Sequence, residues 1–180
     1  ENLISTINPD VILLDDAFQH RKVKAGFYVL LTAYDDLFFD DYILPFGNLR
    51  ESAIGKKRAN LVVVTKCPTT LSEKEQGKVK QKLNVNVPVF FTSIDYDTEV
   101  FSTENAQNVS DIIAKEKVIV AGIAKPKYFI DYLNSGNDKV QIYPDHHNFS
   151  EQEISELNTL AQDKILVTTE KDFVRLNGKI

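Results

Sequence analysis

Residues 11–20 read Val-Ile-Leu-Leu-Asp-Asp-Ala-Phe-Gln-His, and this stretch decides how the fold is interpreted. Its first four residues, Val11–Leu14, are all apolar, which is typical of a strand buried on both faces at the centre of a parallel sheet. The run ends at two adjacent carboxylates, Asp15 and Asp16. Because ligands of open parallel α/β sheets bind beyond the carboxyl ends of the strands, we expect both acids to face a ligand cleft.

Two acids in this position are similar to a Walker B element, in which a carboxylate holds the Mg²⁺ of a bound nucleotide. Gln19 and His20 follow a few residues later. The alternative interpretation is that Asp15 caps a turn and that Asp16 is solvated. The stretch alone leaves both interpretations open.

Composition excludes several classes of protein. The chain has 180 residues, 43% of them apolar and 26% charged, as in an ordinary globular protein with one large or two small domains. The net charge of −5 argues against a generic nucleic-acid binder, so we expect no nucleic-acid partner. The single cysteine, Cys67, excludes an internal disulfide framework and suits a reducing compartment. We find neither a signal peptide nor an apolar run of membrane-spanning length.

The start of the chain suggests that it is a piece of a longer protein. The sequence contains no methionine, and it begins only ten residues before the predicted central strand. We therefore expect an N-terminal part to be missing. The alternative is a processed or tagged domain that is complete in itself.

Strands and helices are predicted to alternate along the chain. In the first half, strands are predicted at 27–32, 61–65 and 87–92, with helices at about 50–59 and 70–83. Residues 93–117 are polar and are predicted to form an interdomain linker. Alternation resumes with strands at 118–122, 140–143 and 165–168, a helix at 127–133, and helices after the capping residues Ser150 and Thr169. The pattern predicts an α/β fold with a doubly wound parallel sheet in 1–92 and a smaller α/β domain in 118–180.

All three histidines, His20, His146 and His147, directly follow predicted strands. Asp145 and His146 form a suitable pair for catalysis, because a carboxylate can fix the tautomer of a neighbouring imidazole. Metal binding by both His146 and His147 is disfavoured, since adjacent residues on a strand point to opposite faces. The alternative is that these are ordinary loop histidines.

Two lysines, Lys66 and Lys171, also follow predicted strands, and each could contact a phosphate or simply be solvated. The chain has no phosphate-binding loop of the form G-x-x-x-x-G-K-[ST]. A Walker-B-like strand without a Walker A loop agrees with a missing N-terminal part.

Six motifs together resemble the tetraacyldisaccharide 4′-kinase family, the lipid A 4′-kinases, over essentially the whole chain. They occur in the order of that family: Asp15-Asp-Ala-Phe-Gln-His20, Leu44-Pro-Phe-Gly-Asn-Leu-Arg-Glu51, Val63-Val-Thr-Lys66, Ala121-Gly-Ile-Ala-Lys-Pro126, Tyr143-Pro-Asp-His-His147 and Val167-Thr-Thr-Glu-Lys-Asp172. The chain departs from the usual pattern at five positions, which are Ala17, Phe46, Asn48, Ala124 and Lys125.

The resemblance implies ATP- and Mg²⁺-dependent phosphorylation of the 4′-hydroxyl of a tetraacyldisaccharide 1-phosphate lipid. It implies a P-loop-like parallel sheet plus a second α/β domain, and a peripheral location at the cytoplasmic face of the bacterial inner membrane. The P-loop, an upstream catalytic aspartate and a membrane-contacting helix would all precede Glu1. This chain alone is therefore expected to be inactive and to bind ATP poorly.

Residue by residue, the resemblance implies that Asp15 and Asp16 hold Mg²⁺. Gln19, His20 and Lys66 would lie at the nucleotide.

On the acceptor side, Arg50 would bind the anionic lipid, and His146 with Asp145 would position or activate the attacking hydroxyl. Three rival hypotheses remain, namely a Mg²⁺-nucleotide switch without kinase chemistry, a sugar-nucleotide-binding module, and a scaffold domain whose loops are ordinary.

Overall fold

The computed structural model describes residues 2–103 and 105–180. The chain forms two compact units, Glu1–Asp95 and Tyr96–Ile180, which we describe separately. Both are α/β units with parallel sheets, so the predicted fold class is confirmed.

The first unit is built on a three-stranded parallel sheet with the order β1-β2-β3. Its elements are α1 (Asn2–Ile7), β1 (Val29–Ala33), a 3₁₀ helix (Ala53–Arg58), β2 (Leu61–Thr65), α2 (Glu73–Leu83) and β3 (Val89–Phe91). In the central strand β2, Val62 and Val64 are fully buried and pack with Leu83 of α2. The capping box of α2 joins Ser72 to Glu75, so the helix begins at Glu73 and not at about residue 70 as predicted. Ser72 is the residue with the extended backbone that an N-cap requires.

The prediction that Val11–Leu14 forms a buried central strand is wrong. These residues adopt no regular secondary structure, and their exposed fractions range from 50% at Ile12 to 91% at Leu13. An apolar run becomes a buried strand only where other strands satisfy its backbone and other layers cover its faces. In the part of the chain that the structure describes, no strand is paired with residues 11–14. Asp15 and Asp16 therefore do not follow a central strand.

The second unit contains a parallel sheet with the order β7-β6-β8 and a short antiparallel hairpin. Its elements are β4 (Glu99–Phe101), β5 (Ala106–Asn108), α3 (Val109–Ile113), β6 (Lys117–Ala121), α4 (Lys127–Leu133), β7 (Lys139–Ile142), α5 (Glu151–Leu160), β8 (Ile165–Thr168) and α6 (Glu170–Leu176). Every residue of β6 is buried, because it is the central strand and is covered on both faces. The capping box predicted at Ser150 and Glu153 is present.

The division between the units lies at Asp95 and Tyr96, inside the stretch predicted to be a linker. The hairpin β4–β5 and the helix α3 occupy most of that stretch, and α3 contributes Val109 and Ile112 to the core of the second unit. The functional division of the chain into domains 1–92 and 118–180 stays a prediction.

A buried ion pair fixes the amino end of the second sheet. The side chains of Lys117 and Asp138 are both 0% exposed, and their Nζ and Oδ2 atoms are 2.9 Å apart. Burial alone would raise the pKa of Asp138, but hydrogen bonds from Lys117 and Ser135 lower the pKa to about 2. Lys117 Nζ also donates to the carbonyl oxygens of Ile113 and Lys115, so both partners are fully satisfied.

None of the helices in the described ranges is long and apolar enough to cross a membrane.

Candidate active site

Asp15 and Asp16 lie in an exposed loop of the first unit, residues 15–20, which we call the acidic loop. Asp16 has a left-handed backbone with φ = 47°, and its N–H donates to Asp15 Oδ1 at 3.0 Å. Arg50 Nη1 lies 3.1 Å from Asp16 Oδ2, with side-chain exposures of 65% and 72%. The structure therefore brings the predicted metal ligand Asp16 together with the predicted substrate residue Arg50.

A groove of about 390 Å³ runs beside this loop. It is lined by residues 12–19 and by residues of β1, including Val29 and Leu31. Both aspartates and Gln19 are among its lining residues, most of which are apolar. This arrangement combines an apolar wall with a few polar groups, as ligand sites do.

Two predicted nucleotide residues lie outside the lining of that groove in the described part of the chain. His20 is exposed, and its backbone N–H donates to Ala17 O at 2.9 Å within a turn. Lys66 follows β2 in a left-handed conformation with φ = 57°. The structure thus places Lys66 at the carboxyl end of the sheet, as predicted, without joining it to the acidic loop.

Arg58 holds the base of the acidic loop, a role that we did not predict from the sequence. Its guanidinium donates to Phe18 O at 3.1 Å, lies 4.9 Å from the centre of the Phe18 ring, and pairs with Glu51. Arg21 Nη2 also approaches Glu51 Oε2 at 3.5 Å. An α-helix over the predicted residues 50–59 would have placed Glu51 and Arg58 on one face, but Glu51 precedes the 3₁₀ helix Ala53–Arg58 in the structure.

The second candidate site is the turn after β7. The N–H of His147 donates to Pro144 O at 3.2 Å, and His146 has φ = 60°. A left-handed conformation is uncommon outside glycine and costs free energy, so surrounding contacts must stabilise it.

His146 is held by a cation from α6. Arg175 Nη2 lies 3.0 Å from His146 Nδ1, while Asp145 Oδ2 lies 3.7 Å from His146 Nε2. The side chain of His146 is 68% exposed, so the ring is accessible to a ligand. The predicted pair of Asp145 and His146 is therefore adjacent, but the closer partner is an arginine that the sequence pattern did not indicate.

Asp172 supports that arginine from inside the unit. Its side chain is 0% exposed and accepts hydrogen bonds from Gly122 N at 2.8 Å, Thr169 Oγ1 at 2.9 Å and Arg175 Nη1 at 3.0 Å. The sequence pattern indicated only a helix-capping role for Asp172. The sequence pattern did not indicate the hydrogen bond from Gly122 to Asp172, because the two residues are 50 positions apart along the chain.

The side chain of His147 is packed against two aromatic rings of the second unit. Its ring stacks on Tyr143 at 4.9 Å and contacts Phe149 edge to face at 5.1 Å, and its Nε2 lies 3.0 Å from Glu153 Oε1. Hydrogen bonds from Ser150 and His147 lower the pKa of Glu153 to about 2. The two histidines do contact different partners, but the reason predicted from strand geometry is wrong, because they lie in a turn and not on a strand.

The described residues contain no group of three or more histidine, cysteine, aspartate or glutamate side chains that could hold a metal ion unaided. Mg²⁺ rarely needs such a group, since one or two carboxylates together with waters and substrate phosphates complete its octahedron. Asp15 and Asp16, which each use one oxygen in the contacts above, fit this type of site.

Comparison with known proteins decides the family. The family model described as tetraacyldisaccharide-1-P 4′-kinase matches residues 1–180. The chain belongs to this family. A tetraacyldisaccharide 4′-kinase of Flavobacterium psychrophilum is 55% identical over 100% of this chain, and one of Flavobacterium johnsoniae is 52% identical over 97%. A tetraacyldisaccharide 4′-kinase of Bacteroides thetaiotaomicron is 38% identical over 98% of the chain.

The kinase family also supplies a solved structure with this fold. The LpxK of Aquifex aeolicus in complex with ATP superposes with a TM-score of 0.69 at 24% identity, over 98% of this chain and 52% of that one. The chain spans about half the length of the curated kinases it matches, 54% of the F. psychrophilum protein and 52% of the F. johnsoniae protein.

Proposed function

We propose that this chain is part of an ATP- and Mg²⁺-dependent tetraacyldisaccharide 4′-kinase. In this reaction the γ-phosphoryl group of ATP is transferred to the 4′-hydroxyl of a tetraacyldisaccharide 1-phosphate lipid. The observation that carries the proposal is the match of the family model to all 180 residues. Phosphoryl transfer requires mainly positioning and charge neutralisation, which the candidate residues can provide.

The acidic loop is assigned to the metal. Asp15 and Asp16 would hold Mg²⁺ together with the phosphates of ATP, and Gln19, His20 and Lys66 would lie around the nucleotide. Mg²⁺, when bound, neutralises charge that develops on the phosphates.

The apolar groove beside the loop is assigned to polypeptide that the full-length relatives have outside the matched part. Leu13 and Leu31 are 91% and 62% exposed, and both line the groove. A strand inserted there would cover both side chains and would pair with the exposed backbone of residues 11–14. The P-loop, which the matched part lacks, would then be carried into place beside Asp15.

Arg50 is assigned to the anionic lipid. Its present partner, Asp16, is exposed, and exposed ion pairs contribute only about 0–1 kcal/mol. Exchange of Asp16 for a substrate phosphate therefore costs little, particularly once Mg²⁺ occupies the aspartate.

His146, with Asp145, is assigned to the acceptor hydroxyl, which it would orient or whose proton it would share. The exposed ring and its fixed Nδ1 contact support this role. His147 is assigned to packing, because its ring lies against Tyr143 and Phe149 and its Nε2 is engaged by Glu153.

The location proposed for the enzyme is the cytoplasmic face of the inner membrane. An enzyme with a tetraacylated substrate and ATP must contact a lipid surface on the side where ATP is available. The contact would be peripheral and would be made by segments outside the matched part.

The experiment that tests the proposal joins this chain to the part of the F. psychrophilum kinase that it does not match. The fusion is incubated with labelled ATP, Mg²⁺ and a tetraacyldisaccharide 1-phosphate, and the lipid product is identified by mass spectrometry. We expect 4′-phosphorylated lipid from the fusion and none from the chain alone.

Two variants of the fusion refine this test. His146→Ala should lower kcat by about 10²–10⁴-fold with little change in the affinity for ATP. His147→Ala should instead lower the melting temperature and leave kcat nearly unchanged. Lipid-independent ATP hydrolysis would favour the nucleotide switch, and absence of any Mg²⁺ requirement would favour the binding module.

A further inference from the structure

The contacts from Asp172 through Arg175 to His146 determine which nitrogen of the His146 ring carries the proton. A guanidinium has five N–H donors and no acceptor. Its Nη2 lies 3.0 Å from Nδ1 of His146, so a hydrogen bond at that distance requires a lone pair on Nδ1. The proton of the neutral ring must then be carried by Nε2.

Arg175 is well placed to impose this tautomer because it is itself fixed. Its Nη1 donates to the fully buried carboxylate of Asp172 at 3.0 Å, and its own side chain is only 24% exposed. Asp172 is in turn held by Gly122 N and Thr169 Oγ1. Three elements, the end of β6, the cap of α6 and the turn after β7, thus converge on one ring.

The glycine at the end of β6 shows how closely these elements approach. A Cβ at position 122 would lie 2.9 Å from Asp172 Oδ1 and 3.5 Å from Pro144 O. No side chain fits there without displacing the Asp172 carboxylate, and a Cβ would also be in van der Waals contact with the turn that carries His146. The position of the imidazole is therefore built into the second unit.

We propose that Arg175, oriented by Asp172, is a positioning residue that holds His146 as the neutral Nε2–H tautomer. His146 then acts on the acceptor hydroxyl as a hydrogen-bond donor from Nε2 and not as the acceptor of its proton. The state of the ring follows from the geometry alone, whereas its role toward the hydroxyl rests on the proposed function. Asp145 Oδ2 lies 3.7 Å from Nε2, which is beyond hydrogen-bond distance, so this carboxylate does not occupy the donor that the hydroxyl oxygen would use.

The state of the ring is tested by ¹⁵N NMR on the ¹⁵N-labelled chain. The chain has only three histidines, so the His146→Gln variant identifies the resonances of that ring by their loss. We expect an unprotonated Nδ1 and a protonated Nε2 near neutral pH. A protonated Nδ1 in the wild-type chain would overturn the proposal without the need for any further variant.

Removal of the guanidinium gives the second readout. Arg175→Gln removes the cationic donor, so part of the proton population should move from Nε2 to Nδ1 and the Nδ1 resonance should move upfield. Arg175→Lys, which keeps a cationic donor, should restore part of the wild-type shift. Lys171→Gln removes an exposed cation from the same helix and should change neither resonance. Unchanged ring shifts in Arg175→Gln would contradict the proposal, since a purely structural arginine would leave the tautomer alone.

The role in the reaction is tested in the fusion with the kinase segment. Arg175→Gln should lower kcat by about 10- to 100-fold, less than His146→Ala, with the KM for ATP unchanged. Wild-type kcat in a folded Arg175→Gln fusion would refute the positioning role. If the fusion never phosphorylates lipid while the ring shows the expected tautomer, the proposed function fails and the assignment of the ring stands.

Discussion

The two candidate loops are both charged and both belong to α/β units, but they are supported in different ways. In the second unit, His146 is connected through Arg175 to a carboxylate that is 0% exposed. In the first unit, Asp16 pairs with Arg50, and both side chains are more than 60% exposed. One site is fixed by the interior of its unit, whereas the other is formed by solvated groups.

This difference shows which of the two loops is held in one geometry by contacts within the chain itself. Buried, fully hydrogen-bonded networks hold one geometry, and exposed ion pairs exchange partners at low cost. We therefore expect the turn that carries His146 to hold a single geometry in this chain alone. Under the proposed function, the acidic loop should adopt its working geometry only with Mg²⁺, the nucleotide and the polypeptide proposed to fill the groove.

The largest expected effect comes from removing the buried carboxylate. Asp172→Ala should reduce the free energy of unfolding of the second unit by about 3–5 kcal/mol, because it leaves the buried N–H of Gly122 and the Arg175 guanidinium without their acceptor. Asp16→Ala should change the stability of the first unit by less than about 0.5 kcal/mol. Urea titrations followed at amide resonances of each unit measure both values.

Lys171 is exposed on the same helix, so Lys171→Ala is the control. It should hardly change the free energy of unfolding of the second unit. Equal losses for Asp172→Ala and Asp16→Ala would remove the contrast between the loops.

A methyl group at Gly122 should have the next largest effect. Gly122→Ala places a Cβ 2.9 Å from Asp172 Oδ1, so we expect a loss of about 1–3 kcal/mol in the second unit. Gly77→Ala is the matched control, because its Cβ would meet nothing within 4 Å on helix α2. It should raise the stability of the first unit by about 0.5–1 kcal/mol. If neither Gly122→Ala nor Gly77→Ala changed the free energy of unfolding, the end of β6 would not be tightly packed.

The pH dependence of stability should be concentrated in the second unit. The pKa values of Asp138 and Glu153 are lowered to about 2 in the folded chain, so both carboxylates stabilise the unit above the pKa they have when unfolded. That contribution is lost as the pH falls from about 4 toward 2, and for Asp138 it amounts to about 2 kcal/mol.

Urea titrations of wild type and Asp138→Asn between pH 5 and pH 2 (roughly the window set by these pKa values) test this prediction. The variant should be less stable at pH 5 and should lose less on acidification. A wild-type chain whose second unit is equally stable at both pH values would be inconsistent with the lowered pKa values.

The smallest effect on stability is expected at the exposed ion pair of Arg50 and Asp16. Arg50→Ala should alter the stability of the first unit by about 0–1 kcal/mol, and added salt should abolish the difference. Differential melting in low and high salt measures it, with Arg58→Ala as the contrasting variant because Arg58 binds Phe18 O and Glu51. A large, salt-independent effect of Arg50→Ala would mean that the acidic loop is already organised.

How far the sequence predicted the structure also differs between the two loops. Strands Leu61–Thr65 and Ile165–Thr168 and helix Lys127–Leu133 have the predicted bounds, because local apolar patterns and capping residues determine them. The prediction for Val11–Leu14 failed, because burial of an apolar run depends on neighbouring strands that a local pattern does not report. The contact of Arg175 with His146 was invisible for a related reason, since it joins residues 29 positions apart through a left-handed turn.

Native-state hydrogen exchange at two amides tests the contrast between the loops most directly. The N–H of Gly122 donates to the buried Asp172 Oδ2 at 2.8 Å, and the N–H of Asp16 donates to the exposed Asp15 Oδ1 at 3.0 Å. We predict that exchange at Gly122 is slowed by about 10³-fold or more, whereas exchange at Asp16 stays within about tenfold of the unprotected rate. Comparable protection at the two amides would contradict the claim that only the His146 loop is organised by this chain.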